Sequence, residues 1–134
     1  MNGSFAASLA EFAEQAKDAI DNVFREVIIE IGSSVITMSP VDTGRFKGNW
    51  QYSINSPAQG TLDRLDPNGT AAHAELVDGA LQFKAGQTAY IVNNLPYAIR
   101  LEYGYSDFTP DGMVRVTLER FQDIVEEAIR KHRV

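Results

Sequence analysis

The order of patterned stretches predicts an α+β fold: a long N-terminal helix, a small antiparallel β-sheet with a hairpin, and a C-terminal amphipathic helix packed on the sheet. Three observations carry this. Apolar residues recur by threes and fours over 4–38, apolar and polar residues alternate strictly over 48–55, and a second amphipathic run closes the chain. At 134 residues a single domain over 1–134 is expected, with the long helix at 1–38, the sheet and a variable middle at 47–94, and the last helix at 110–132. A chain of this size buries roughly two-thirds of its unfolded surface without staples.

The first helix follows from Phe5, Leu9, Phe12, Ala16, Ile20, Val23, Val27, Ile31, Val35 and Met38, with Glu11, Glu14, Lys17, Asp18 and Glu30 between them. Ser39-Pro40 stops it. At 1.5 Å per residue such a helix runs to ~50 Å, longer than the ~30 Å diameter of a small domain. Part of it must overhang. Val27, Ile28, Ile29 and Ile31 widen the stripe in the second half, which places that half in the core and the first half on another subunit. The alternative is a break near Asn22 or Gly32 that folds the helix back on its own domain.

Next, Trp50, Tyr52 and Ile54 alternate with Gln51, Ser53 and Asn55, a half-buried strand ended by Ser56-Pro57. Residues 58–68 read as loop and close in the turn Asp66-Pro67-Asn68-Gly69, after which 70–81 has a short-helix pattern weakened by Gly79. Residues 81–84 and 88–93 flank Ala85-Gly86-Gln87 and predict a hairpin with a three-residue loop. The second of these strands ends near Asn94, before Pro96. An apolar segment rich in tyrosine covers 97–106. Thr109 then reads as a helix cap, with Pro110 and Asp111 in the first turn of a helix reaching His132 through Val114, Leu118, Phe121, Val125 and Ala128 or Ile129.

Composition excludes several classes. Without cysteine there are no disulfides, thiolate metal sites or thiol nucleophiles. A net charge of −6 disfavours general binding to nucleic acid. The cations of Arg130-Lys131-His132-Arg133 are read as complementing a helix C-terminus. The first residues lack a signal-peptide pattern and no run approaches a membrane span, so synthesis in the cytoplasm and no membrane partner are expected.

Reactive constellations are also missing. His73 and His132 lie in different elements with no ligand spacing, and G-x-S-x-G, G-x-G-x-x-G and P-loop patterns are absent. Glu102, Asp107 and Asp111 read as loop acids and a helix-start charge rather than paired catalytic carboxylates. Thr43-Gly44-Arg45-Phe46-Lys47 has the glycine and cations to receive a phosphate, but reads better as a tight turn before the strand with Arg45 paired to an acid. No enzyme, cofactor, metal or catalytic residue is expected. Tyr103, Tyr105 and Phe108 either cap the core or anchor a partner.

Pro40-Val41-Asp42-Thr43-Gly44-Arg45 followed by Trp50, then Asn94-Leu95-Pro96-Tyr97-Ala98 with Leu101-Glu102-Tyr103-Gly104, and residues 110–117, together resemble the minor tail component family of long-tailed bacteriophages, the tail-completion or neck proteins. The resemblance covers roughly residues 39–121. It implies a virion structural protein that forms a ring, with six copies expected, between the portal or connector side and the tail tube. Its partners would be itself, the neighbouring neck, portal-adaptor and tail-tube proteins, and genomic DNA passing through the bore without specific binding, along a negatively charged lining. The alternatives are a tail terminator ring of the same junction and a monomeric peptide- or ligand-binding module using the aromatic 103–108 loop. The residues expected at interfaces are Phe5, Leu9, Phe12, Arg45, Tyr103, Tyr105 and Phe108.

Overall fold

The computed structural model describes residues 2–104 and 111–133. Helix α1 (Asn2–Thr37) leads through a short 3-10 turn (Lys47–Asn49) into β1 (Trp50–Ile54), followed by α2 (Thr70–Ala80), β2 (Ala89–Asn93), α3 (Ala98–Glu102), α4 (Met113–Glu119) and α5 (Phe121–Lys131). The fold is α+β. β1 and β2 make a two-stranded antiparallel sheet in which Trp50 stands opposite Asn93 and Ile54 opposite Ala89.

A two-stranded sheet is marginal alone and needs helices over its apolar face. Here α2 lies against β1 so closely that a Cβ on Gly79 would strike the Tyr52 ring. α2 also presses on α1, where a Cβ on Gly32 would meet Leu76. The core gathers Ile28, Val35 and Ile36 from α1, Trp50 from β1, Leu76 and Ala80 from α2, Met113 from α4, and Phe46, Phe83 and Leu95 from the segments between. At its centre the Trp50 indole N–H donates to Ser39 Oγ at 2.7 Å, and Ser39 Oγ donates to the Val35 carbonyl at 2.6 Å. That chain satisfies both buried side chains and one carbonyl at the end of α1.

α1 is a single helix of 36 residues, with no break at Asn22 or Gly32. Gly32 serves close approach to α2 instead, and Asn22 is an exposed surface residue. The hairpin expected from 81–84 and 88–93 does not form: β2 pairs with β1, and 81–87 docks on α1. Its backbone groups are claimed there, since Arg25 Nε donates to the Phe83 carbonyl at 2.8 Å and the Ala85 N–H donates to the Asp21 carboxylate at 2.8 Å. Phe83 is buried with its ring 5.7 Å from that of Phe24. The N–H groups of Leu81, Gln82 and Phe83 meanwhile turn back onto the end of α2, so the segment does not present a strand edge to β2.

The closing helix is two helices, split at Arg120, whose φ of −96° and ψ of 6° leave the helical region. α4 brings Met113 into the core beside Trp50, while α5 lies along α1. The described part of α4 starts at Met113 rather than near Pro110; Thr109 and Pro110 lie outside the described residues, as do Tyr105, Asp107 and Phe108. α3 is an element that the aromatic segment did not announce.

Residues 58–68 carry no regular structure, as expected, yet they are tied down by amide side chains. Gln51 Nε2 donates to the Gly60 carbonyl at 3.0 Å, and Asn94 Nδ2 to Ala58 and Gly60 at 2.9 and 3.0 Å. Arg64 Nε donates to the Gly48 carbonyl at 2.6 Å. The loop ends at Asp66, whose carboxylate accepts from the Ala72 N–H at 2.9 Å and so caps α2 from outside the helix.

Candidate functional site

Two surfaces stand out, and the first is the free half of α1. Residues 4–15 are all exposed, and Phe5, Leu9 and Phe12 show 68, 54 and 61% of their surface to solvent. At 3.6 residues per turn these positions, with Ala16 and Ile20, share one stripe. The stripe runs into a groove of about 320 Å³ between α1 and the end of α5, lined by Ala16, Ala19, Ile20, Val23, Phe24 and Ile129. Glu26 fastens the two helices beneath it, accepting from Lys131 Nζ at 3.1 Å and lying 3.2 Å from His132 Nε2. Burial alone would raise the Glu26 pKa, but the contacts to Lys131 and His132 outweigh it and hold the carboxyl below its ordinary value.

The second surface surrounds Tyr103. α3 ends by placing Glu102 against the start of α4, where its carboxylate accepts from the N–H groups of Val114 and Arg115 at 2.9 and 3.0 Å and from Arg115 Nε at 3.1 Å. Arg115 also donates to the Glu102 carbonyl, and its guanidinium carbon lies 4.7 Å from the centre of the Tyr103 ring. One aromatic face is thus covered by a cation that the carboxylate orients. Beside it opens a groove of about 500 Å³ whose lining includes Phe46, Trp50, Ile91, Tyr103, Met113 and Val114.

The expected interface residues divide between these surfaces. Phe5, Leu9 and Phe12 are together on the free half of α1; Tyr103, 63% exposed, belongs to the second surface; Tyr105 and Phe108 lie outside the described residues. Arg45 is exposed in the turn before β1, and its expected ion pair is not found among the described residues. His73 is exposed on α2, and His132 meets Glu26. Sequence reasoning missed the role of Glu102. A cap supplied 12 positions ahead of the N–H it receives has no local signature.

Glu102 also fixes a pH dependence. Burial pushes its pKa up, but the two backbone N–H groups and the Arg115 side chain prevail and lower it. A carboxyl with a depressed folded pKa adds stability that is complete above its unfolded value of about 4.5 and is lost as pH falls through the folded one. Glu26 shifts the same way. The melting temperature should therefore fall on acidification below about pH 4.5. Glu102→Gln should cost about 1.5 to 3 kcal/mol at pH 7 and show a shallower acid loss than the unaltered chain. Equal acid slopes for the two would assign the loss to other carboxylates.

Geometry is therefore the ground for a functional reading, because no protein-family model matches the chain and no curated protein or solved structure is significantly similar to it.

Proposed function

We propose that the chain is a structural protein of the head–tail junction of a long-tailed bacteriophage, a neck or tail-completion component that acts by forming a ring between the portal side and the tail tube. One observation carries the reading: an apolar stripe on a helix that extends past its own fold, with Phe5, Leu9 and Phe12 more than half exposed and no covering element in the same chain among the described residues. Contiguous exposed apolar surface of this kind marks an interaction site. The resemblance of residues 39–121 to the minor tail components supports the specific assembly, and the net charge of −6 suits a bore through which DNA slides without sticking. A terminator ring would use the same surfaces. The groove beside Tyr103 favours a second reading, a module that takes an extended peptide or small ligand.

Deleting residues 1–18 separates assembly from folding. That segment supplies no residue to the core, and the Asp21 and Arg25 contacts to 83–85 lie beyond it. The shortened chain should keep its melting temperature within a few degrees and lose all incorporation into particles, scored by imaging the capsid-to-tail joint. Normal incorporation of the shortened chain would remove the free helix from the mechanism, and absence of the full chain from that joint would end the junction reading.

A further inference from the structure

We infer that the free subunit pairs with a second copy of itself through the projecting half of α1, the two helices running antiparallel and crossing at the level of Glu14. The pair goes beyond the junction reading, since it describes the chain before any neighbour is present. Entry into a ring would exchange the partner's helix for that of a neighbour.

The direction comes from a helix pair already made inside the chain. Ser34 Oγ meets Thr117 Oγ1 at 2.6 Å, and further on Glu26 meets Lys131 at 3.1 Å, so α4 and α5 descend α1 antiparallel to it. At about 100° per residue, Phe5, Phe12, Ala16, Val23 and Ser34 fall within a sector of about 40°. The face that α4 and α5 cover is thus the face that continues bare beyond the end of α5. An antiparallel copy of α1 extends that cover in the direction α5 already takes.

Size and charge agree. With the crossing at Glu14, Phe5 stands opposite Val23 at the groove by Ile129, Leu9 opposite Ala19, Phe12 opposite Ala16 and Ile20 opposite Ser8, so in each pair a larger residue meets a smaller one. A parallel pair in register would stack Phe12 on Phe12 and leave a void at Ala16. The flanks of the stripe, Ala6 and Ala13 on one side and Ser8, Gln15 and Asn22 on the other, are uncharged, while Glu11, Glu14, Lys17 and Asp18 lie away from it. Closure buries no charged side chain of the stripe or its flanks; at the groove, Phe5 of the copy comes beside His132 and Arg133 of α5's end. Two phenylalanines at 68 and 61% exposure, with Leu9 and Ile20 about half exposed, would hide on the order of 500 Å² per copy. The pair then reaches about 1,000 Å², the lower bound for a specific interface.

Sedimentation velocity on the full chain, free of other phage proteins, should show twice the 14.8 kDa of one copy, with dissociation on dilution. Phe12→Glu should be monomeric throughout with unchanged circular dichroism and melting temperature. The chain has no cysteine, so introduced thiols read the geometry directly. Ala13→Cys should oxidise to a disulfide-linked dimer; Ser8→Cys should not do so alone but should cross-link when mixed with Asn22→Cys. A chain that stays monomeric at its highest attainable concentration, a Phe12→Glu variant that stays dimeric, or a Ser8→Cys variant that links to itself as readily as Ala13→Cys would each overturn the pairing. None of these results bears on the ring, which particle imaging tests separately.

Discussion

Replacing Asn49 by aspartate is expected to destabilise the fold by about 4 kcal/mol at pH 7, the cost of a buried charge facing acceptors with nothing to neutralise it. Asn49 is fully buried. Its Nδ2 donates to the carbonyls of Arg45 and Leu62 at 2.7 and 3.0 Å, while its Oδ1 accepts from the Leu62 N–H at 2.7 Å. Aspartate matches this residue in shape and keeps the bond from Leu62 N–H. Its second oxygen, however, points at two carbonyls and repels both. Burial and those carbonyls favour the protonated acid, so the variant's folded pKa rises above the unfolded value. The variant should then be closest to the unaltered chain below about pH 4 and lose ground as pH rises through its folded pKa, opposite in sign to the Glu102 effect. Asn49→Ala leaves three groups unpaired without adding charge and should cost about 2 to 3 kcal/mol with no such pH dependence. Denaturant midpoints at pH 4 and pH 7 distinguish them. A uniform loss at both pH values for Asn49→Asp would show that the site admits water.

What the sequence shows of this fold depends on how local each cause is. α1, α2 and β1 were legible because periodicity is written in consecutive residues, and the strand from Ala89 onward because Asn94 and Pro96 end it nearby. The hairpin failed because alternation over Leu81 to Lys84 does not reveal that Asp21 and Arg25, 64 and 58 residues away, take the Ala85 N–H and the Phe83 carbonyl. The split of the last helix at Arg120 was equally hidden: Arg120 Nη2 reaches Ser34 Oγ at 3.0 Å, a contact between residues 86 apart. Of the candidate surfaces, the free stripe could be read from the excess length of α1, since a helix of 36 residues outruns a small domain. The groove at the end of α5 could not, because it exists only once α5 lies along α1.

The motif around Gly44 is where a local signal was read rightly as a turn yet its reason lies elsewhere, and Gly44→Ala is expected to cost about 3 kcal/mol, or roughly 10 °C in melting temperature. Gly44 sits at φ +89°, a conformation that disfavours any Cβ, and a Cβ built there would strike the backbone nitrogen, Cα and ring of Pro67. Backbone cannot swing aside as a side chain does. The Gly44 carbonyl also accepts from Gly48 N–H at 2.9 Å and from Asp66 N–H at 3.0 Å, so a shift of the turn moves the residue that caps α2. Gly60 supplies the control: at φ +77° its Cβ would meet nothing within 4 Å. Gly60→Ala therefore carries the conformational cost alone, about 1 kcal/mol. The difference between the two variants measures the contact of the turn with Pro67, and equal losses would remove that contact as the reason for glycine. The N–H groups of Arg45, Gly48 and Asn49 are taken within the turn, by Thr43 Oγ1, the Gly44 carbonyl and the Phe46 carbonyl, and the Gly44 carbonyl ties the turn to Asp66, so the stretch from Thr43 to Lys47 is read as a structural turn. Added phosphate should accordingly leave the melting temperature of the unaltered chain where it is, and a rise that Gly44→Ala abolishes would return the loop to the list of binding sites.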